Sequence, residues 1–263
     1  MVAVAVPTDE EAVERVKIMR DYLDVAVIDS AQGDSKFAVA TLKALKEEFP
    51  DLDVVVGNIS SGESAKLLAE QGADGIKVGQ GPGSICTTRI ETGIGTPQVT
   101  AVYECVKAIR KAGLDVPVCA DGGIVNSGDI PIAIAAGASS VMMGGRLAGT
   151  DEAPGEVIEL ANGNRVKMYR GMGSAGALRD SAAARKRYGQ EDQALMLTEG
   201  VEGNVPYKGK LAQVLGKDVL ALRKSMSYVG AKDIGDHQEN TLFKRPTQAG
   251  MQESHPHDIE QSR

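Results

Sequence analysis

The sequence predicts an α/β protein built as a (β/α)8 TIM barrel, with about six βα units present. Three observations predict it. Six short runs rich in Val, Ile and Ala, at 2–6, 24–29, 52–56, 75–78, 116–120 and 139–143, alternate with amphipathic stretches at 10–22, 37–48, 63–71, 100–111 and 128–136. The runs are apolar almost throughout, as parallel strands covered on both faces are. Glycine-rich and polar residues follow the strands and never precede them, which places the chemistry at the carboxyl ends of the strands. Nearly every strand has its own loop motif, whereas a doubly wound open sheet gathers its glycines near one switch point.

Taken in order, the loops after the second to sixth strands are Asp29-Ser30-Ala-Gln-Gly33, Gly57-Asn58-Ile-Ser60, Gly79-Gln-Gly-Pro-Gly83, Asp121-Gly-Gly123 and Gly144-Gly145. Three helical stretches end at Gly72, Gly113 and Gly137, where glycine can take the left-handed backbone that closes a helix. Beyond Gly149 the alternation stops. Segments 156–160 and 165–169 flank Ala161-Asn-Gly-Asn164, whose Asn-Gly reads as a hairpin turn. Residues 170–203 are glycine-rich, charged and weakly periodic, long enough for a mobile lid. An amphipathic helix at 211–226 precedes a polar tail, 233–263, which its composition marks as disordered. The expected organisation is six βα units over 1–149, hairpin and flap over 150–208, and C-terminal helix and tail over 209–263.

Composition narrows the function. The 263 residues suffice for one large domain or two small ones, and the 31 glycines are clustered rather than periodic, which excludes collagen-like and low-complexity chains. Lys plus Arg number 29 and Asp plus Glu 36, a formal charge of −7. No bulk positive field therefore draws the chain onto nucleic acid or an anionic membrane. With no Trp and three Phe the core is aliphatic, and platforms for stacking bases are scarce. No apolar run approaches the roughly 18 residues of a membrane span, and the N-terminus lacks the basic flank of a signal peptide. Three cysteines without close pairs fit neither a disulfide framework nor a cysteine-rich zinc site, and point to a reducing cytoplasm.

Gly79-Gln-Gly-Pro-Gly-Ser-Ile-Cys-Thr-Thr-Arg89 is the densest feature. As a dinucleotide fingerprint it fails, because Ser occupies 84 and the loop, which contains Pro, opens into no clear helix. Its other reading is a sharply folded backbone that presents the Cys86 thiol in a polar cleft, with Thr87, Thr88 and Arg89 supplying donors and positive charge that lower a thiol pKa. Cys105, in a helical pattern, and Cys119, on a strand, read as inert core residues. Asp121-Gly-Gly123 and Gly144-Gly145 end consecutive strands, where paired glycines let backbone N–H groups approach a phosphate. Arg187-Tyr188 alone is an ordinary solvated pair. His237, His255 and His257 show no metal-ligand spacing.

Read together, Gly83-Ser-Ile-Cys-Thr-Thr88, Gly93-Ile-Gly-Thr-Pro-Gln98 and Ala120-Asp-Gly-Gly-Ile124 closely resemble the IMP dehydrogenase/GMP reductase family. The likeness continues through Val141-Met-Met-Gly-Gly145, Glu152-Ala-Pro-Gly-Glu156, Tyr169-Arg-Gly-Met-Gly-Ser174, Glu199-Gly-Val-Glu-Gly203 and Gln252-Glu-Ser-His255. The family fold, a (β/α)8 barrel, agrees with the pattern above. The resemblance implies NAD-dependent oxidation of IMP to XMP, a step of guanine nucleotide synthesis. Cys86 is then the nucleophile at C2 of the purine, hydride leaves to NAD⁺, and a covalent thioimidate is hydrolysed. Thr88 and Glu199 resemble the pair that assists proton transfer, and Arg187 with Tyr188 the flap dyad that activates water. Because the arginine pKa exceeds about 12, such a base needs a closed, preorganised site.

The resemblance also implies binding residues. Ser84, Gly123, Gly144 and Gly145 match phosphate positions, Asp121 the ribose contact, and Tyr169, Met172, Gly173 and Glu199 positions near phosphate or base. Asp29, with Ser30 beside it, resembles the nicotinamide-ribose contact, and Asn58, Gly79 and Gly81 line the same pocket. Carbonyls of Gly81, Gly83 and Cys86 resemble half of a potassium (K⁺) site, completed by Glu253, Ser254 and His255 of a neighbouring subunit. That implies an ordered tail at a subunit contact and a homo-oligomer, a tetramer in this family.

Two departures stand out. At Gly145 many of the family's dehydrogenases have Ser, whereas its reductases commonly have Gly. The chain also begins where the family's third barrel strand begins, without the first two strands or the regulatory CBS insert. It is expected to be a truncated product, or to be completed by another polypeptide. NADPH-dependent GMP reduction and a non-catalytic nucleotide-binding or split-enzyme subunit are the alternatives. Arg187-Tyr188 and the potassium-like tail favour hydrolysis, and hence the dehydrogenase.

Overall fold

The computed structural model describes residues 1–191 and 195–259, so 192–194 of the expected lid and 260–263 of the expected tail lie outside the described residues. Strands β1 (Ala3–Val6), β2 (Val25–Asp29), β3 (Asp53–Ile59), β4 (Gly75–Val78), β5 (Val118–Asp121) and β6 (Ser140–Met142) form one parallel sheet in sequential order. Each strand pairs with the next, as β1 Val6 with β2 Ile28 and β5 Ala120 with β6 Val141. This singly wound order belongs to a barrel, here six strands of eight. Among the described residues β1 and β6 each have one neighbour.

Helices α1 (Glu11–Met19, extended by a 3-10 turn at Arg20–Tyr22), α2 (Lys36–Glu48), α3 (Gly62–Glu70), α4 (Thr88–Thr92), α5 (Gln98–Lys111) and α6 (Asp129–Ala135) fill the crossovers. Ser35 and Ser61 start α2 and α3, each hydroxyl accepting from a backbone N–H one turn on (Ala38 and Ser64). The expected glycine closures hold: Gly72, Gly113 and Gly137 all have positive φ. The core is aliphatic as composition requires. Ile28, Val54, Val56, Ile76 and Val78 of the sheet pack fully buried with Leu42, Leu45, Leu68 and Val102 of the helices. Each such side chain contributes about 1.5–3 kcal/mol by leaving water.

Beyond the sheet, β7 (Val157–Glu159) and β8 (Arg165–Arg170) form the expected hairpin, with Gly163 at φ +79° in its turn. A third strand, β9 (Glu202–Pro206), pairs with β8 and was not visible in the hydrophobic pattern. The expected irregular lid contains two helices, α7 (Ala175–Asp180) and α8 (Ala182–Arg187), capped by Ser174 and Ser181. Leu178, Ala177 and Ala184 form their own small core with Tyr188 and Met196.

Helix α9 (Leu211–Tyr228) follows as expected, then α10 (Ile234–Asn240) and α11 (Gln248–Glu253). The compositional reading of 233–263 as disordered is therefore corrected over its first part. Asp233 caps α10, and His237 is buried with its Nε2 3.2 Å from the carbonyl of Pro131. Gln238 accepts from Arg110 and donates to the carbonyl of Ala138. Two side chains, His237 and Gln238, dock this short helix, too few to register as apolar periodicity.

Candidate active site

The loops after the strands converge as predicted. A cavity of about 190 Å³ is lined by Asn58, Gly79, Gly81, Gly83, Cys86, Thr88, Asp121, Arg187, Tyr188 and Glu199. The segments that follow β2 (through Ala31), β3, β4 and β5 thus meet the flap around one thiol. Cys86 Sγ lies 3.2 Å from Thr88 Oγ1, within reach of a hydrogen bond. The segment before β9 closes over the cysteine loop like an added strand: Thr87 N–H donates to the Glu199 carbonyl (3.0 Å) and Val201 N–H to that of Ile85 (2.9 Å). Glu199 N–H in turn donates to the carbonyl of Gly173 (2.9 Å).

Below the cavity lies a charged hub that sequence reasoning missed. Lys77, on β4, is 4 % exposed, and its ammonium donates to Asp29 (3.0 Å), Asp121 (2.7 Å) and the side-chain oxygen of Asn58. These three partners use all three ammonium protons. Asn58 then donates to Asp121 (2.9 Å) and to the Gly79 carbonyl (2.8 Å). Arg187, at the end of α8, places its guanidinium on the other oxygen of Asp29. Two carboxylates and two cations balance. The signal was present: a lysine inside Gly75-Ile-Lys-Val78, a strand buried throughout, has to be paired.

The electrostatics follow from this hub. Burial opposes ionisation of Asp29, but Lys77 and then Arg187 outweigh it and hold its carboxyl below the ordinary 3.8. Burial likewise works against the Arg187 charge, yet Asp29 reverses this and raises the guanidinium further. Burial raises the Tyr188 phenol, against the opposing effect of Arg187. Arg89 behaves otherwise than expected. Its guanidinium donates to the carbonyls of Gln80 (2.9 Å) and Thr96 (2.5 Å), so its donors serve the loop backbone.

The residues matched to a phosphate gather beside the cavity. A Cβ on Gly145 would lie 2.5 Å from Ser84 Oγ, and one on Gly144 would collide with the Tyr169 hydroxyl. Burial, and then the charge of Asp121, raise the Tyr169 phenol, which keeps it a donor at neutral pH. Gly144 and Tyr169 also line a wider cavity of about 630 Å³. Gly123 (φ +78°) packs against Gln98 and Pro82, at the root of the cysteine loop. Gly173 backs the Tyr188 ring, and Met172 is exposed.

Two groups stand apart from the cavity lining. Ser30 extends the β2–β3 pairing through its backbone, and its hydroxyl donates to the Gln32 carbonyl. Glu253, Ser254 and His255 are exposed; Ser254 donates to the carbonyl of Gly250 and His255 Nδ1 to that of Met251 within α11 and its end. Among the described residues no cluster of three or more His, Cys, Asp or Glu could hold a metal ion.

A family model described as "IMP dehydrogenase / GMP reductase domain" matches residues 1–257. The chain belongs to the IMP dehydrogenase/GMP reductase family. It is 51 % identical over 263 residues to an inosine-5'-monophosphate dehydrogenase of Aquifex aeolicus, and 44 % identical over 261 residues to one of Bacillus subtilis. These matches cover 100 % and 99 % of the chain but 53 % and 52 % of the relatives. The chain thus spans about half the length of the curated relatives it matches. A crystal structure of a GMP reductase from Trypanosoma brucei in complex with guanosine 5'-monophosphate superposes with a TM-score of 0.88 at 41 % identity. That match covers 99 % of this chain and 53 % of the other.

Proposed function

We propose that this chain carries the catalytic loops of an NAD-dependent IMP dehydrogenase, which oxidises IMP to XMP. The observation that carries the reading is the meeting of Cys86, Thr88, Arg187, Tyr188 and Glu199 at one cavity. The Cys86 sulfur adds to C2 of the purine, and hydride departs from that carbon. A thiolate suits this, since it adds to an electron-poor carbon and is later expelled. Ser84, Gly123, Gly144, Gly145 and Tyr169 receive the phosphate, Asp121 the ribose, and Met172 and Gly173 flank the base. Thr88 and Glu199 move the proton at the ring.

NAD⁺ supplies the hydride acceptor when bound. Asp29 fits its nicotinamide ribose, because a carboxylate accepts from two vicinal hydroxyls, with Ser30, Asn58, Gly79 and Gly81 beside it. The same carboxylate holds Arg187, so flap and ribose exclude each other there. While Arg187 rests on Asp29 it stays protonated; service as a base, with Tyr188, in the hydrolytic step requires release from that contact. Carbonyls of Gly81, Gly83 and Cys86 are hard oxygen donors suited to K⁺, completed by Glu253, Ser254 and His255 of a second copy in a homotetramer. An eight-stranded barrel needs two further βα units from outside these 263 residues.

The test is to incubate the purified chain with IMP, NAD⁺ and K⁺ and follow NADH absorbance, beside a parallel incubation with GMP and NADPH. NADH production is expected. Consumption of NADPH alone establishes the reductase, to which Gly145 corresponds. Silence in both assays, persisting when the remaining barrel units are supplied, overturns the catalytic reading in favour of a binding subunit.

A further inference from the structure

We propose that Arg89 is the positioning residue of the cysteine loop, a guanidinium clamp that ties the two ends of the loop together and so fixes where the Cys86 thiol stands. The role given to the thiol rests on the function proposed above; the clamp itself rests on geometry. The loop leaves β4 at Val78 and rejoins regular structure at Gln98, with only the short α4 inside it. Arg89 lies on α4, three residues after Cys86. Its Nε donates to the carbonyl of Gln80, at the start of the loop, and its Nη2 to the carbonyl of Thr96, near the end. One planar group therefore bridges backbone positions sixteen residues apart (96 − 80).

A second observation concerns two glycines on either side of this guanidinium. The arginine side chain is the nearest neighbour of Gly81 (φ +79°), and at Gly95 (φ +140°) it stands just behind the Gln80 carbonyl oxygen that it bonds. A Cβ on Gly81 would collide with Arg89 Cγ, and one on Gly95 would lie 2.7 Å from Arg89 Cγ and Nε. The backbone thus closes around the arginine from both ends of the loop, at positions whose left-handed conformation also suits glycine. A lysine cannot reproduce the bridge, because its ammonium is a point charge without the fork that serves two acceptors in one plane. Since Arg89 lies on α4 next to Thr88 and three residues after Cys86, loosening the clamp shifts the thiol relative to Thr88 and Glu199.

Hydrogen exchange on the full chain tests this in wild type, Arg89→Ala and Arg89→Lys, with and without millimolar guanidinium chloride. The amides of Cys86, Ile90 and Glu91 are bonded inside the loop. In Arg89→Ala they are expected to exchange about tenfold faster for each charged hydrogen bond lost, while the amides of β1–β5 keep their protection. Guanidinium is expected to restore protection by refilling the vacated space, and Arg89→Lys to restore only part. Unchanged loop exchange in Arg89→Ala overturns the proposal. So does acceleration spread through the sheet, or failure of guanidinium and lysine alike to restore the loop. In the turnover assay kcat is expected to fall at least about tenfold. A wild-type chain that does not turn over IMP speaks against the proposed reaction and leaves the exchange result to decide the clamp.

Discussion

Arg187, the last residue of α8, rests its guanidinium on the carboxylate of Asp29 at the carboxyl end of β2. The flap thereby occupies the group proposed for the nicotinamide ribose, and in that reading the two partners compete for one carboxylate. Replacing Arg187 with Ala is expected to spare hydride transfer and slow hydrolysis by roughly 100- to 10,000-fold, the range for loss of a positioned general base. A rapid burst of NADH followed by a slow steady state reports this. Equal loss in burst and steady state contradicts the role.

The same contact fixes a pH dependence. Asp29 has a lower pKa when Lys77 and Arg187 face it than when the flap is free. Docking therefore has its full strength above the ordinary carboxyl value of 3.8 and is lost as pH falls through the lowered value. Exchange of the α8 amides, corrected for intrinsic rates, is expected to show constant protection from about pH 5 to 8 and progressive loss below about pH 4. Loss of protection between pH 5 and 7 would assign docking to another group.

Lys77 joins three strand ends, and removal of its charge leaves Asp29 and Asp121 facing each other without a cation between them. Lys77→Met is expected to destabilise the fold by about 3 kcal/mol, the lower end for a broken buried ion pair, because both carboxylates keep some access to water. The midpoint of urea unfolding measures this. A midpoint that does not move would make the hub dispensable for stability.

Much of the scaffold was legible because its signals are local. The Gly75–Val78 strand agrees to the residue, and the other five fall within a few residues of their positions. Glycine closures at 72, 113 and 137 follow from backbone sterics alone. The site was legible mainly through motifs, since nothing in the pattern of Arg187 announces that it reaches Asp29. Lys77 was hidden by the opposite cause, for its strand reads as apolar and only its tertiary partners explain the charge. The helices of the flap were missed because α7 and α8 each span six residues, too short for a period to emerge.

The three cysteines differ in environment and therefore in reactivity. Burial, with the charge of Glu104 added, pushes the Cys105 thiol up to about 12, and burial also raises Cys119. Iodoacetamide at pH 8 is therefore expected to alkylate Cys86 and to leave Cys105 unmodified, since the thiolate is the reactive form. Peptide mass mapping after a short exposure decides this, and added IMP is expected to protect Cys86. Equal labelling of Cys105 would mean that the helix carrying it opens readily.

Gly145 stands where a side chain would fill the space occupied by Ser84 Oγ. The obstruction is the tip of a small rotatable side chain, and the backbone of Gly145 lies outside the left-handed region. Gly145→Ala should therefore fold normally, with Ser84 turned aside. The expected consequence falls on ligand binding, because in the proposed reading the rotated hydroxyl no longer donates to the phosphate. Loss of one such hydrogen bond to a charged group is worth about 1.5–3 kcal/mol, roughly a 10- to 100-fold rise in the dissociation constant for IMP. Calorimetry with IMP and with inosine separates the contributions: the substitution should weaken the nucleotide strongly and the nucleoside little. Equal weakening of both would place Gly145 away from the phosphate.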